Sequence, residues 1–447
     1  MKTMTEGKPF SLILKFSLPL LAGNLLQQMY NLVDSIVVGH LVGENALAAV
    51  GSTNIINFLL VSLFSGLALG FTILVSQFVG AKEEAKVRRA VETAFISGIV
   101  GAVLVTILGF LLTNPLLQLL NSPEGQVRTM SETYLKILFI GTIGTFGFNL
   151  NAGILQGLGD SISSLKFLAV ATILNIILDL VFVVVFGWGV AGVAWATIIA
   201  QVVSFILGLL YLNKKLQLFS FKILSWEFSN KIFIEALRIG LPGGVQNMLF
   251  SLGTMAIQRL INSYGAAYMA GFSISSRIDS IAFLPIVSFA SAATTFTGQN
   301  VGAKRLDRVA QGHKTVQMMS AFVVICISIL VVLFAPFLMA VFSPEQEVIQ
   351  AGVEVLSRLM PCYVLVSILF IVNSVLRGAG ESLMPFLSSM VSFLIFRMPA
   401  AYILDYFFGR SEIGWSYGIG WVFGLIIILP YYFSGRWKKR ITPEDEK

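Results

Sequence analysis

The chain has 447 residues, of which 56% are hydrophobic and only 12% are charged, and its mean hydropathy is +0.85. So few charged residues cannot cover the surface of a soluble protein of this size, which excludes an ordinary soluble fold. The net charge of +7 does not indicate a nucleic-acid partner, because lysine and arginine concentrate in short loops between apolar segments.

Apolar segments long enough to cross a bilayer as helices recur along the whole chain, and they lack the alternating pattern of a barrel. We therefore predict an all-α integral membrane protein with twelve transmembrane helices. The predicted spans cover residues 12–38, 47–79, 88–113, 128–151, 161–186, 191–213, 231–262, 268–298, 309–341, 350–377, 383–408 and 412–436.

The loops between these spans fall into two classes. The loops at 82–89, 213–222 and 302–314 are rich in lysine and arginine, whereas those at 114–127 and 342–350 contain neither. The positive-inside rule then places both termini in the cytoplasm and predicts a multi-pass protein of the cell (plasma) membrane.

The chain also repeats itself at a spacing of about 222 residues. "SQFVGAK" at Ser76 matches "GQNVGAK" at Gly298, and "LQGLGD" at Leu155 matches "LRGAGE" at Leu376. Two further pairs keep the order and spacing: "SLPLLAG" at Ser17 with "GLPGGVQ" at Gly240, and "NSPE" at Asn121 with "FSPE" at Phe342. Four ordered matches indicate an internal duplication.

The duplication predicts two six-helix lobes, 1–212 and 231–447, joined by a cytoplasmic linker at 213–230. Because each lobe has an even number of spans, the lobes are related by a pseudo-two-fold axis along the membrane normal. Two such bundles enclose a central cleft suited to alternating access.

Five polar residues of the first lobe fall at a similar depth in the membrane. Asp34 and Asp179 lie ~8–10 Å from the outer ends of their spans, and Tyr134 and Thr197 lie ~9 Å from theirs. Asn175 is one turn from Asp179 on the same helix face. Two carboxylates at one depth repel each other, so such a pair tends to hold a proton or a cation.

We interpret these residues as a cation-coupling site for H⁺, or for Na⁺ at Asp34, Asn175, Asp179 and Thr197. For the two aspartates together this role is favoured. For Asn175, Tyr134 and Thr197 taken singly, simple hydrogen bonding within the helix bundle remains an equal alternative.

The second lobe does not repeat the acids. It carries Arg277 and Asp279 in span eight and Arg397 in span eleven. Arg277 has two alternative partners, Asp34 across the cleft or Asp279 nearby. Pro19, on the helix that carries Asp34, is the candidate position for a helix bend. The candidate residues of a substrate cleft are Gln27, Met29, Asn31, Asn151, Met255 and Arg277.

The segment "SLPLLAGNLLQQMYNLVDSIVVGHLVGENALAAVG", the "VGAK" pair and "LQGLGD" with "LRGAGE" resemble the multidrug and toxic compound extrusion (MATE) family over nearly the whole chain. The resemblance implies twelve helices in two lobes that export cationic or amphiphilic drugs against proton or sodium uptake. It places the first-lobe cation site on Asp34, Asn175, Asp179 and Thr197 with Tyr134 nearby, and a bend of the first helix at Pro19.

The sequence departs from the sodium-coupled branch of that family, which has acids in spans seven and ten. Span seven has Gln258 here, and the acid of span ten, Glu354, lies near the outer end. The chain therefore looks closer to the branch that resembles the DNA-damage-inducible protein F, for which proton coupling is expected.

The leading interpretation is a secondary antiporter, not an enzyme, that expels organic cations in exchange for protons. A sodium-coupled antiporter and a lipid-linked oligosaccharide flippase are the alternatives. The flippase is retained because Arg277 and Arg397 could bind the pyrophosphate head group of such a lipid. No zinc-spaced histidine pair, serine nucleophile motif or Walker loop is present in the sequence. We expect no cofactor beyond H⁺ or Na⁺, contacts with membrane lipids, and a monomer.

Overall fold

The computed structural model describes residues 3–119, 124–216 and 227–440, and these residues form fifteen α-helices and no β-strand. The helices of the first half are α1 (Pro9–Val37), α2 (Glu44–Gly80), α3 (Glu84–Leu119), α4 (Gln126–Ile140), α5 (Thr142–Gly157), α6 (Ser161–Leu180) and α7 (Gly189–Leu216). Those of the second half are α8 (Asn230–Asn262), α9 (Ala266–Gly302), α10 (Leu306–Ala340), α11 (Gln346–Leu359), α12 (Tyr363–Gly378), α13 (Leu383–Met390), α14 (Met398–Phe408) and α15 (Trp415–Phe433).

The predicted spans all coincide with helical segments. In the described chain, 10 helices are long and apolar enough to cross a membrane, and α4 with α5 makes an eleventh, bent by 53°. The remaining predicted span, 231–262, coincides with α8, which is 33 residues long but less apolar because charged residues stand near both of its ends. The prediction of an all-α membrane protein is confirmed, since in lipid a helix satisfies its own backbone.

Hydropathy did not reveal the irregular turns inside these spans. Three π-helices, Val38–Val42, Val181–Val185 and Val391–Arg397, continue α1, α6 and α13. A 3-10 turn at Met360–Cys362 joins α11 to α12, and the bend between α4 and α5 falls at Gly141. These breaks depend on local packing, to which an average over about twenty residues is insensitive.

The described chain packs as two compact units, and two helices contribute to both. The first unit comprises Ala22–Gly244, and the second comprises Thr3–Leu21 with the chain from Val245 onward. The division therefore falls inside α1 and α8, next to Pro19 and Pro242. The division into lobes 1–212 and 231–447 therefore stays a prediction. Residues 217–226 of the predicted linker lie outside the described residues.

Glycines let α2 and the first part of α8 approach backbone to backbone within the first unit. A Cβ on Gly66 would lie 2.8 Å from the Cα of Gly244, and one on Gly70 would lie 2.8 Å from the carbonyl carbon of Ala236. Small residues that permit such close approach are characteristic of helix pairs in membranes. The contact helps to explain why the first part of α8 belongs to this unit.

The repeated motif "LQGLGD" forms the turn between α5 and α6. A Cβ on Gly157 would lie 2.7 Å from the carbonyl oxygen of Thr72 in α2. Gly159 adopts a φ of 79°, which favours glycine. Asp160 then caps α6 by accepting a hydrogen bond from the backbone N–H of Ser163 at 3.0 Å. Both glycines and the aspartate of the motif thus have a structural role in this turn.

The second copy, "LRGAGE", builds the same turn between α12 and α13. Gly380 has a φ of 86°, and Glu381 accepts a hydrogen bond from the N–H of Leu383 at 3.1 Å. In both copies the acid also accepts a hydrogen bond from a tyrosine of the last helix of its half: Tyr211 at 2.8 Å and Tyr431 at 3.1 Å. The duplicated motif therefore joins the start of one helix to the end of another.

Replacing Gly70 with Ala should destabilise the protein, because the new methyl group overlaps the backbone of α8. We expect the free energy of unfolding to fall by about 1–3 kcal/mol. Gly101→Ala is the matched control, since a Cβ there meets nothing within 4 Å and alanine favours a helix. Thermal unfolding in detergent measures both variants, and equal behaviour of the two would contradict the close contact.

Replacing Asp160 with Asn keeps the helix cap but removes the charge that accepts hydrogen bonds from Lys215 and Tyr211. Although partial burial opposes the effect, bonds from Lys215, Ser163 and Tyr211 hold the pKa of Asp160 below its ordinary value of 3.8. We expect a loss of about 1 kcal/mol in the free energy of unfolding at neutral pH.

The sign of the pH dependence follows from that lowered pKa. The ionised carboxylate stabilises the fold above the ordinary pKa of 3.8, and this stabilisation is lost as the pH falls through the lower pKa of the folded state. Unfolding of the wild type and Asp160→Asn is therefore compared from neutral to acidic pH. A difference that stays constant down to the lowest pH would contradict an ionic role.

Candidate functional site

Two aspartates lie near the ends of membrane helices in the first unit. Asp34 is in the last turn of α1 and Asp179 is in the last turn of α6. Each helix then continues as a π-helix, at Val38–Val42 and Val181–Val185. Asp179 is fully buried, Asp34 is partly buried, and the two carboxylates interact electrostatically. A π-turn, which often marks a functional position, thus follows both acids.

Asn175 links Asp179 to α7. With its amide turned so that each atom faces a matching partner, Nδ2 donates to the Oδ2 of Asp179 at 3.1 Å. Its Oδ1 accepts from the backbone N–H of Thr197 at 3.2 Å. The i,i+4 spacing on α6 places the amide beside the carboxylate, and burial of both residues makes the hydrogen bond structurally important.

Two tyrosines complete the cluster. The hydroxyl of Tyr30 lies 3.3 Å from the Oγ1 of Thr197, and Tyr134 of α4 is 6% exposed. Both phenols interact electrostatically with Asp34 and Asp179. Sequence analysis did not select Tyr30, although its position one turn before Asp34 on α1 was a usable signal.

The structure therefore brings together the residues predicted to form the cation-coupling site, Asp34, Tyr134, Asn175, Asp179 and Thr197, and adds Tyr30. The assignment of an ion to them stays a prediction. One oxygen of each aspartate, Oδ1 in both, is buried and has no hydrogen-bond partner in the protein. These two oxygens are where a proton or a hard cation would bind.

A small cavity opens beside this cluster. Its walls combine the polar side chains of Gln27, Tyr30, Asn175, Thr197 and Gln201 with apolar neighbours such as Phe148 and Leu168. The space between them has room for little more than a water molecule or a small ion.

The other predicted cleft residues occupy different surroundings. Gln27 lines the cavity, whereas Met29 and Asn31 are exposed on α1, Met29 by 63%. Asn151 is buried and donates to the carbonyl of Phe205 at 2.8 Å, which gives it a packing contact. The side chain of Met255 lies outside the described residues.

A second polar cluster lies in the second unit. Tyr363 donates a hydrogen bond to the carboxylate of Asp279, and the guanidinium of Arg397 stacks 3.5 Å above the ring of Tyr417. Arg277 is exposed and forms no ion pair with Asp279 in the part of the chain that the structure describes. The local pairing considered for Arg277 is thus not formed in the described residues, and Asp279 accepts its hydrogen bond from Tyr363 instead.

Fold and site together define a class of protein. Repeated six-helix halves with ionisable side chains buried inside membrane helices are characteristic of secondary transporters. The MatE family model matches residues 19–181 and 242–403, one match in each half, so the chain belongs to the MatE family.

Individual relatives agree with this assignment. The chain is 33% identical over 437 residues to the probable multidrug resistance protein YpnP of Bacillus subtilis (strain 168), and the match covers 97% of each protein. A crystal structure of a MATE in the bent conformation matches with a TM-score of 0.90 at 23% identity, covering 98% of this chain and 100% of the other. The straight conformation gives a TM-score of 0.88 at 23% identity, covering 100% of both chains.

Asn175→Ala should destabilise the first unit, because it removes the donor that faces the buried carboxylate of Asp179. We expect the free energy of unfolding to fall by about 1–3 kcal/mol, measured by thermal unfolding in detergent. Asn31→Ala, which removes an exposed amide from α1, should have little effect. Equal losses in the two variants would show that the Asn175–Asp179 bond contributes nothing specific.

Proposed function

We propose that the protein is an efflux antiporter that exports cationic or amphiphilic organic compounds in exchange for protons by alternating access. Membership of the MatE family and the relative named as a probable multidrug resistance protein support multidrug export. The proposals for the coupling ion and the substrate class are based on the site in the first unit.

The pair of buried, unpartnered carboxylate oxygens is the observation that carries proton coupling. The Oδ1 atoms of Asp34 and Asp179 are buried and have no hydrogen-bond partner in the protein. A proton on either atom removes one of two like charges, whereas Na⁺ needs several oxygen ligands around one point.

Exchange follows from the charge of the two aspartates. While both are ionised, they repel each other and attract an organic cation. Uptake of a proton removes one charge, weakens the hold on the cation and lets α1 and α6 pack differently. An ion and a substrate that favour opposite states drive each other across the membrane by mass action.

Sodium coupling is the second candidate. The carboxylates of Asp34 and Asp179 with the hydroxyl of Thr197 are oxygen donors of the kind that hard cations prefer. The oxygen of the Asn175 amide is a fourth donor. Sodium coupling on these four residues thus requires all four to converge on one ion, which proton coupling does not.

We place initial contact with the substrate on side chains of α1 that are accessible, Met29 and Asn31, with Gln27 at the edge of the ion cavity. Asn151, Met255 and Arg277 complete the proposed set. The helix bend is proposed at Pro19, which lies inside α1. Two solved MATE structures of similar fold, one described as bent and one as straight, support this proposal. We further propose a plasma-membrane monomer in contact with lipid, with both termini cytoplasmic.

The test is transport by the purified protein in liposomes, with a fluorescent organic cation and an imposed proton or sodium gradient. We expect a proton gradient to drive dye movement and Asp34→Asn to abolish it, because the amide can neither release a proton nor attract the cation. Asp405→Asn, a membrane acid of α14 outside this site, is the matched control and should transport normally.

Each alternative has its own outcome. Dye movement that requires sodium and ignores the proton gradient would replace proton coupling by sodium coupling at the same residues. Full activity of Asp34→Asn would remove the site from the mechanism. No dye movement under either gradient, together with binding of lipid-linked sugars, would favour the flippase.

A further inference from the structure

A short segment before α1, residues 3–8, is bound to the second unit. We call it the strap. Met4 and Thr5 within it are 5% and 6% exposed. The backbone polar groups of a buried segment outside a helix need hydrogen-bond partners.

Three side chains of α9 and α10 bind the backbone of Met4. Its N–H donates to the Oε1 of Gln299 at 2.7 Å. Its carbonyl accepts from the Nδ2 of Asn300 and from the Nη2 of Arg308, each at 3.3 Å. Both backbone groups of one residue are therefore satisfied by the second unit.

Arg308 also donates hydrogen bonds beyond Met4. Its Nη2 donates to the carbonyl of Gly7 at 3.0 Å, and its Nε donates to the Oδ1 of Asn300 at 3.1 Å. Arg305 donates to the carbonyl of Thr5 at 3.4 Å. The bonds to the strap all reach its backbone atoms, so they depend on the path of the strap, which Gly7 sets with a φ of 92°.

The first unit holds the segment before α8 by different chemistry. Ser229 donates its N–H to the Oγ1 of Thr93 at 3.1 Å, and Glu227 pairs with Arg89 at 3.0 Å. Lys86 occupies the repeat position that corresponds to Arg308, but it is exposed and pairs with its neighbour Glu83. Hydrogen bonding of an arginine to the segment before the helix is thus a feature of the second unit. Lys86, which makes no such bond in the described residues, serves as the control position for substitutions of Arg308.

The strap fixes one end of the helix that carries Asp34. Ile13 and Phe16 of α1 are buried in the core of the second unit, whereas Val37 and Val38 are buried in the first. The helix is continuous between them and passes Pro19. A displacement at the Asp34 end must therefore be absorbed within α1 or transmitted to the strap.

We propose that Arg308 and Asn300 are positioning residues that anchor the strap, so that a change at Asp34 bends α1 instead of sliding it along its axis. Docking of the strap stands on the contacts above, whereas its effect on transport rests on the proposed export function. Because one end of α1 is anchored, ion uptake at the other end changes the shape of the helix and does not merely shift its position.

The experiment combines a distance measurement with transport. Spin labels at Lys8 and Gln311, both exposed and both in the second unit, report strap docking in a background without native cysteines. Loss of charge-assisted hydrogen bonds should weaken docking about tenfold in Arg308→Ala, which broadens the distance distribution. The maximal rate of dye export should fall several-fold, while the dye concentration for half-maximal rate stays unchanged.

Further variants separate positioning from general damage to the fold. Gly7→Ala leaves Arg308 intact but strains the strap, and it should reproduce both effects. Arg308→Lys should restore part of the docking and of the rate. Lys86→Ala should behave as wild type in both assays.

The outcomes are distinguishable. An unchanged distance distribution in both Arg308→Ala and Gly7→Ala would overturn the anchor. A released strap with a normal export rate would overturn the positioning role. If the wild type moves no dye, the export proposal fails, and so does the transport role of Arg308, while the spin labels still decide whether the anchor exists.

Discussion

An ionised carboxylate inside a membrane needs a proton, a cation or a hydrogen-bond donor, and the first half of this protein is arranged around that requirement. Asp179 receives an amide hydrogen from Asn175, and Asn175 is held in turn by the backbone of α7. Asp34 stands among phenols and has one buried oxygen without a partner. Asp179 also keeps one buried oxygen without a partner, so both acids depend on a proton or a cation to complete their surroundings.

The same helix that carries Asp34 belongs to both compact units, and α8 does so in the reciprocal sense. Close glycine contacts hold the start of α8 in the first unit, and the strap with Arg308 holds the start of α1 in the second. Each shared helix has a proline beside the position where it changes unit. A single continuous helix thus joins the residues around Asp34 to the segment that Arg308 holds.

Sequence alone predicted the helices and the membership of the polar cluster, because hydropathy and depth depend only on residue type and position. It also located the duplicated motif. It did not predict that the motif forms a turn whose acid caps one helix and accepts a hydrogen bond from a tyrosine of another. Tyr30 and the strap were missed. Tyr30 is a common residue in an apolar helix, and Arg308 is one of several basic residues in the segment 302–314. Contacts between segments distant in sequence leave no local pattern.

The π-turn after Asp34 bears on how the two halves diverged. Such a turn accommodates one additional residue without interrupting a helix. Ser17 and Gly240 are 223 positions apart, whereas Ser76 and Gly298 are 222 apart, so the first half holds one more residue between these landmarks. The π-helix at Val38–Val42 lies between these landmarks, and α8 contains no such turn. A single-codon insertion beside the acid would leave such a mark, distinguishing one duplicated half from the other.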